Sequence, residues 1–208
     1  MLNTTNKNRK MLQRLTVTAI LAALTVMFQM ISTVSAALLS VSITLSLVPI
    51  VFGAILYGPA TGTVLGLVLG ITIIAIDPTA QSMMAMGGVT NPLYLIVTVC
   101  LCLLKSSVAG LISGLAARIL QKKERPRLAA FTAVFLCPTV NSGIFALFVP
   151  IFFYDMIASW AQAAEASNIL AFFLLMVVGF NYALELAINL VLTPALLRVH
   201  DVAKKKLS

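Results

Sequence analysis

Apolar residues run along this chain in long blocks broken by Pro, Gly and charge clusters, with none of the ~10-residue alternation of barrel strands. The blocks are close to the ~20 residues that carry a helix across ~30 Å of hydrocarbon. They predict six spans at 15–36, 42–57, 60–76, 92–119, 128–150 and 169–197, forming one domain over 1–208. The second and third are the shortest, parted only by "YGPAT", where Gly58-Pro59 favours a tight turn. The expected fold class is therefore an all-α integral membrane protein, a six-helix bundle.

Composition agrees. The 208 residues are 61% hydrophobic and 10% charged, against about 45–50% and about 25% in soluble domains. The apolar run after "MLNTTNKNRKMLQR" is long enough to span and shows no clear small-residue cleavage pattern, so the first helix is expected to be retained.

Charge orients the bundle. Of 14 Lys and Arg, 13 fall within Lys7–Arg14, Arg118–Arg127 and Arg198–Lys206. An even number of spans puts these clusters on one side, which the positive-inside rule makes cytoplasmic, as expected of a multi-pass protein of a prokaryotic plasma membrane. Asp77, Asp155 and Glu165 fall in outer connections without Lys or Arg. The net charge of +8 needs no nucleic-acid partner to explain it. Two outer connections, 77–91 and 154–168, carry Met, Trp and Tyr. Either they are lids over a pocket, or Tyr154 and Trp160 anchor the interface and the second is a short helix lying on the membrane.

Polar groups inside the spans carry the chemistry. Lys105 is the fourteenth basic residue; at ~1.5 Å per residue it lies ~20 Å into its span, and Glu185 ~24 Å into the last. A charge at that depth is costly unless paired, so a Lys105–Glu185 structural ion pair is expected; the alternatives are that Lys105 meets an anionic ligand or that Glu185 carries a proton. Asn181, Glu185 and Asn189 recur every four residues and share one face, which should point inward. Asn141 sits near mid-depth, and each of these asparagines has an ordinary role in bonding across helices. Cys100, Cys102 and Cys137 lie in apolar segments far from His200, so no metal site is expected and the thiols read as small packers. Gly62, Gly66 and Gly70, and likewise Ser106, Gly110 and Gly114, form four-residue stripes that let backbones approach.

These features together resemble a known family. An Ala-xxx-Ala face in "AILAA", the hairpin "LYGPATGTVLGLVLG" and the closing "NYALELAINLVLTPALLR" are similar to the substrate-binding S component of energy-coupling factor (ECF) vitamin importers. The resemblance implies a pocket walled mainly by helices four to six and closed by outer loops. It also implies partners: a membrane-embedded T component, met by Ala19 and Ala23, and two ATP-hydrolysing subunits. No Gly-rich phosphate loop followed by Lys-Ser/Thr occurs in the chain, which excludes it as the ATPase. The expected substrate-binding set is Asn91, Tyr94, Asn141, Trp160, Asn181 and Tyr182, with Lys105 as a deeper anion contact and no cofactor. Among the family's ligands pantothenate suits an amide-rich, weakly aromatic pocket best, with riboflavin, folate and pyridoxine-type vitamins behind it.

Two rivals remain at this level. A stand-alone ion-coupled transporter using Glu185 and Lys105 would usually show a repeated half, and residues 1–105 and 106–208 show none. An intramembrane enzyme would want a nucleophile with a base in reach. A dyad of Ser106 or Ser107 with Lys105 fails because adjacent positions on a helix do not face one another.

Overall fold

In a computed structural model, residues 2–39, 45–88 and 91–207 are described. Among them the chain folds as helices α1 (Leu2–Leu39), α2 (Leu47–Tyr57), α3 (Pro59–Ile76), α4 (Pro78–Ala85), α5 (Leu93–Lys122), α6 (Pro126–Phe152), α7 (Tyr154–Ala163), α8 (Ile169–Phe172) and α9 (Phe180–Leu207), with a π-helical segment, Phe173–Gly179, joining the last two. Five stretches are long and apolar enough to cross a membrane: Met11–Ser35, Pro59–Ile76, Leu93–Lys122, Pro126–Phe152 and Ile169–Pro194. Large apolar side chains such as Leu147, Ile151, Leu175 and Val191 face outward on them, as a lipid-bathed surface requires. The chain is an all-α integral membrane protein.

The second expected span, 42–57, appears as the 11-residue α2, with 42–44 outside the described residues. At ~1.5 Å per residue α2 reaches only ~16 Å, about half the hydrocarbon thickness. It is stable there because it is sheathed in protein: Leu47, Ile50, Val51, Ala54 and Ile55 are buried, and α1, α3, α5, α6 and α9 all touch it. A short helix can end inside the bilayer where neighbouring helices cover its termini.

The turn after α2 follows from sequence. Gly58 has φ +86°, which a side chain would resist, and Pro59 opens α3 with the fixed φ that a first helical position favours. α3 then packs along α5 more closely than any other pair. The two glycine stripes make this possible: a Cβ on Gly66 would collide with the Ser106 carbonyl, and Gly62 and Gly110 lie backbone against backbone. The stripes serve packing within the bundle.

One end of the bundle gathers two of the basic clusters. Arg14 Nη2 donates to Thr61 Oγ1 at 3.0 Å, Gln121 Nε2 donates to the Ile55 carbonyl at 2.9 Å, and Gly114 abuts Pro59. At the far end α4 and α7 form a cap. Asp77 begins α4 by accepting from the backbone N–H groups of Thr79 (2.9 Å) and Ala80 (3.3 Å). The core divides accordingly. One cluster, around Leu21, Leu47, Leu65, Leu69, Ala109, Ala133 and Cys137, fills the bundle, and a second, around Met83, Leu101, Val149, Phe153, Ile157 and Phe173, sits under the cap.

Candidate functional site

Between the two clusters lies a cavity of about 400 Å³, within the few-hundred-Å³ range of small-molecule sites. Its wall draws on every long helix. α1 gives Gln29, the connection to α2 gives Ser46, and α3 gives Leu69 and Ile73. The cap gives Asp77, Thr79, Met83 and Trp160; α5 gives Leu101 and Lys105; α6 gives Asn141, Ser142 and Phe145. Phe172, Met176, Val177, Val178, Phe180, Asn181 and Glu185 complete it. The wall is thus broader than one built mainly from the fourth to sixth spans.

The π-helical segment shapes the last part of that wall. Its wider turns present Met176, Val177 and Val178 consecutively to the cavity and still return Phe180, Asn181 and Glu185 to the same side. Stretches of this kind are rare and recur at functional sites.

Glu185 is 1% exposed, and its Oε1 accepts from Asn181 Nδ2 at 3.2 Å. Asn189 Nδ2 donates to the Glu185 carbonyl at 2.8 Å, and Thr193 Oγ1 donates to the Asn189 carbonyl at 2.9 Å. The four-residue polar row therefore does face inward, with Asn181 at the cavity and Asn189 below it in the packed bundle.

Lys105 is half-buried, and its ammonium stands 5.0 Å from the centroid of the Phe145 ring. No ion pair to Lys105 is seen among the described residues. Lys105 and Glu185 line the same cavity from α5 and α9, and α6 packs against both of those helices. A cation over an aromatic face gains about 0.5–2 kcal/mol, less than the several kcal/mol that taking an ion out of water costs. Asn141 is 8% exposed, and its Oδ1 is buried without a hydrogen-bond partner, a deficit of about 1–3 kcal/mol.

Of the other residues singled out from the sequence, Trp160 reaches the cavity from α7, so its ring serves the wall, whereas Tyr154 at the start of that helix is exposed. Asn91, Tyr94 and Tyr182 do not line the cavity. Asn91 Oδ1 accepts from the Leu93 backbone N–H and starts α5. Tyr94 stacks on Phe153 at 5.6 Å under the cap. Tyr182 O–H bonds Thr139 Oγ1 at 3.1 Å, tying α9 to α6. Ala19 and Ala23 are exposed on the outward face of α1.

A cluster at the cavity mouth was not anticipated. Gln29 Nε2 approaches Asp77 Oδ2 at 3.4 Å, and Ser46 Oγ donates to Gln29 Oε1 at 3.0 Å. Three separated segments thereby meet on one amide that is 3% exposed. Its sequence signal was present: Leu21, Thr25, Gln29 and Ser32 follow helical spacing on the face of α1 opposite the alanines.

A family model described as "ECF transporter, substrate-specific component" matches residues 13–197. The chain belongs to that family: it is a substrate-binding membrane subunit of the ECF transporters, a transport family rather than an enzyme family. No curated protein and no solved structure matches it at the same level.

Proposed function

We propose that this chain captures a water-soluble vitamin from the outer face of a prokaryotic plasma membrane and passes it inward with a T component and two ATPases. Pantothenate is the first candidate, ahead of riboflavin, folate and pyridoxine-type vitamins. One observation carries the proposal: a largely apolar cavity of about 400 Å³ holds a few convergent polar groups, Lys105, Asn141, Ser142 and Asn181, beneath a cap of two short helices. That is the make-up of a site that selects a small polar molecule and strips its water.

The cap end carries Asp77 and Asp155 and the opposite end the basic clusters, so positive-inside orientation turns the cavity mouth outward. Exposed Ala19 and Ala23 offer a flat strip on α1 that another membrane helix can approach closely, which suits the T component. The Ala face and its partner come from family membership, while the cavity residues come from geometry.

The test is uptake of labelled vitamin by vesicles holding this chain alone or with a T component and both ATPases. Transport is expected only with the full set and ATP, and binding with the chain alone. Gradient-driven accumulation by the chain alone would favour the ion-coupled reading of Glu185 and Lys105.

A further inference from the structure

We infer that the ligand is a small monocarboxylate whose anion seats against Lys105 and whose own N–H or O–H, about one helical turn away, donates to Asn141 Oδ1. This deepens the capture reading and rests on it.

The cavity presents two unmet needs of opposite kind. The Lys105 ammonium has the Phe145 ring 5.0 Å away and no ion pair among the described residues, so it lacks a counter-charge. Asn141 Oδ1 is a buried acceptor without a donor. The remaining polar wall is already engaged: Asp77 accepts from α4 backbone amides and Glu185 accepts from Asn181.

Geometry couples the two needs. Asn141 and Phe145 are four residues apart on α6, so they share a face and lie ~6 Å apart along the axis. Lys105 reaches the Phe145 level from α5. A ligand meeting both must therefore carry its carboxylate and a neutral donor a few bonds apart. A phosphate ester would bring two charges to one cation, and a cationic ring would place its charge beside Lys105. Leu101, Met176 and Val177 leave room for a saturated apolar body rather than a stacked ring system.

Trp160 lines the cavity and is the only tryptophan, so its fluorescence reports occupancy of this site. Purified protein in lipid nanodiscs is titrated with pantothenate and its neutral alcohol panthenol, and with biotin and its neutral amide. At least one acid is expected to bind about 100-fold or more tighter than its neutral partner. Lys105→Met should abolish that ratio and Lys105→Arg should keep most of it. Asn141→Leu should weaken acid and neutral forms alike, by about tenfold.

Equal binding of acid and neutral forms by the unmodified protein overturns the inference, and that comparison needs no variant to fold. So does an acid preference that survives Lys105→Met. Selective binding of thiamin or riboflavin, which lack a carboxylate, overturns it while leaving vitamin capture in place. If no vitamin changes Trp160 emission and none is taken up with the complete transporter, capture itself fails and the inference falls with it.

Discussion

Replacing Gly66 with alanine tests whether the α3–α5 seam holds the cavity walls in place. A Cβ at this position would lie 2.6 Å from the Ser106 carbonyl carbon and 2.7 Å from Ser107 Cα. Carbon atoms rest at about 3.5–4.0 Å, so the deficit is about 1 Å. Both obstacles are backbone, which cannot rotate aside, and relief requires the helices to part. A gap of that size forfeits a quarter to a half of each contact's attraction, and the seam also includes Gly62, Gly70 and Gly110. Overpacking of this kind costs about 1–3 kcal/mol, which for a chain of this length lowers Tm by about 2–4 °C per kcal/mol, or roughly 2–12 °C. The walls shift as well, because α3 supplies Leu69 and Ile73 to the cavity and α5 supplies Leu101 and Lys105.

Gly143→Ala is the matched control. It lies inside α6 with nothing within 4 Å of an added methyl, so exchange for alanine should be neutral or gain up to about 1 kcal/mol. Thermal unfolding in nanodiscs, followed by loss of the monodisperse peak, gives both values. If Gly66→Ala melts with the unmodified protein, or if both variants fall equally, close backbone approach does not hold this seam.

Further predictions concern single side chains. Lys105→Met should leave the ligand-free protein as stable or raise its Tm, because it removes a half-buried cation that lacks a counter-charge; a clamp with Glu185 requires the reverse, together with recovery of Glu185→Gln by Lys105→Met in the double variant, read by the same melts. Asn181→Ala should destabilise the protein by about 1–3 kcal/mol, since it withdraws the donor serving Glu185 Oε1, and should also weaken ligand binding in Trp160 titrations. Ala19→Trp or Ala23→Trp should abolish co-purification with a T component and leave vitamin binding unchanged; a normal complex would move the partner surface elsewhere on the bundle. Gln29→Ala should speed ligand release measured by stopped-flow, since Ser46 and Asp77 both bond that amide at the mouth, and an unaltered off-rate would deny the cluster a part in retention.

How much of this was written in the sequence depends on the kind of interaction. Hydropathy is additive along a helix, so the long helices lie where the apolar runs put them: α3 at Pro59–Ile76 against an expected 60–76, and α6 at Pro126–Phe152 against 128–150. Periodicity likewise turned Glu185 and Asn189 inward. Depth alone gave a weaker guide to partnership. Lys105 and Glu185 have similar depths, but which neighbours each meets depends on the tertiary arrangement, and the structure gives them Phe145 and Asn181. Asn91, Tyr94 and Tyr182 have the residue types of a binding site, yet a helix start, a ring stack and an interhelical hydroxyl pair use them. The π-helical stretch left no pattern in "FLLMVVG", because each of its residues is equally at home in an α-helix.

The stretch Phe173–Gly179 has a genetic consequence. Wide turns hold one residue more than an α-helix needs for the same path, so loss of a single codon there would let the segment relax to ordinary winding. Everything downstream would then swing by ~100° about the helix axis. Asn181 and Glu185 would leave the cavity and neighbours now facing lipid would enter it. A one-residue indel at this spot is therefore the smallest heritable step by which such a scaffold exchanges one cargo for another.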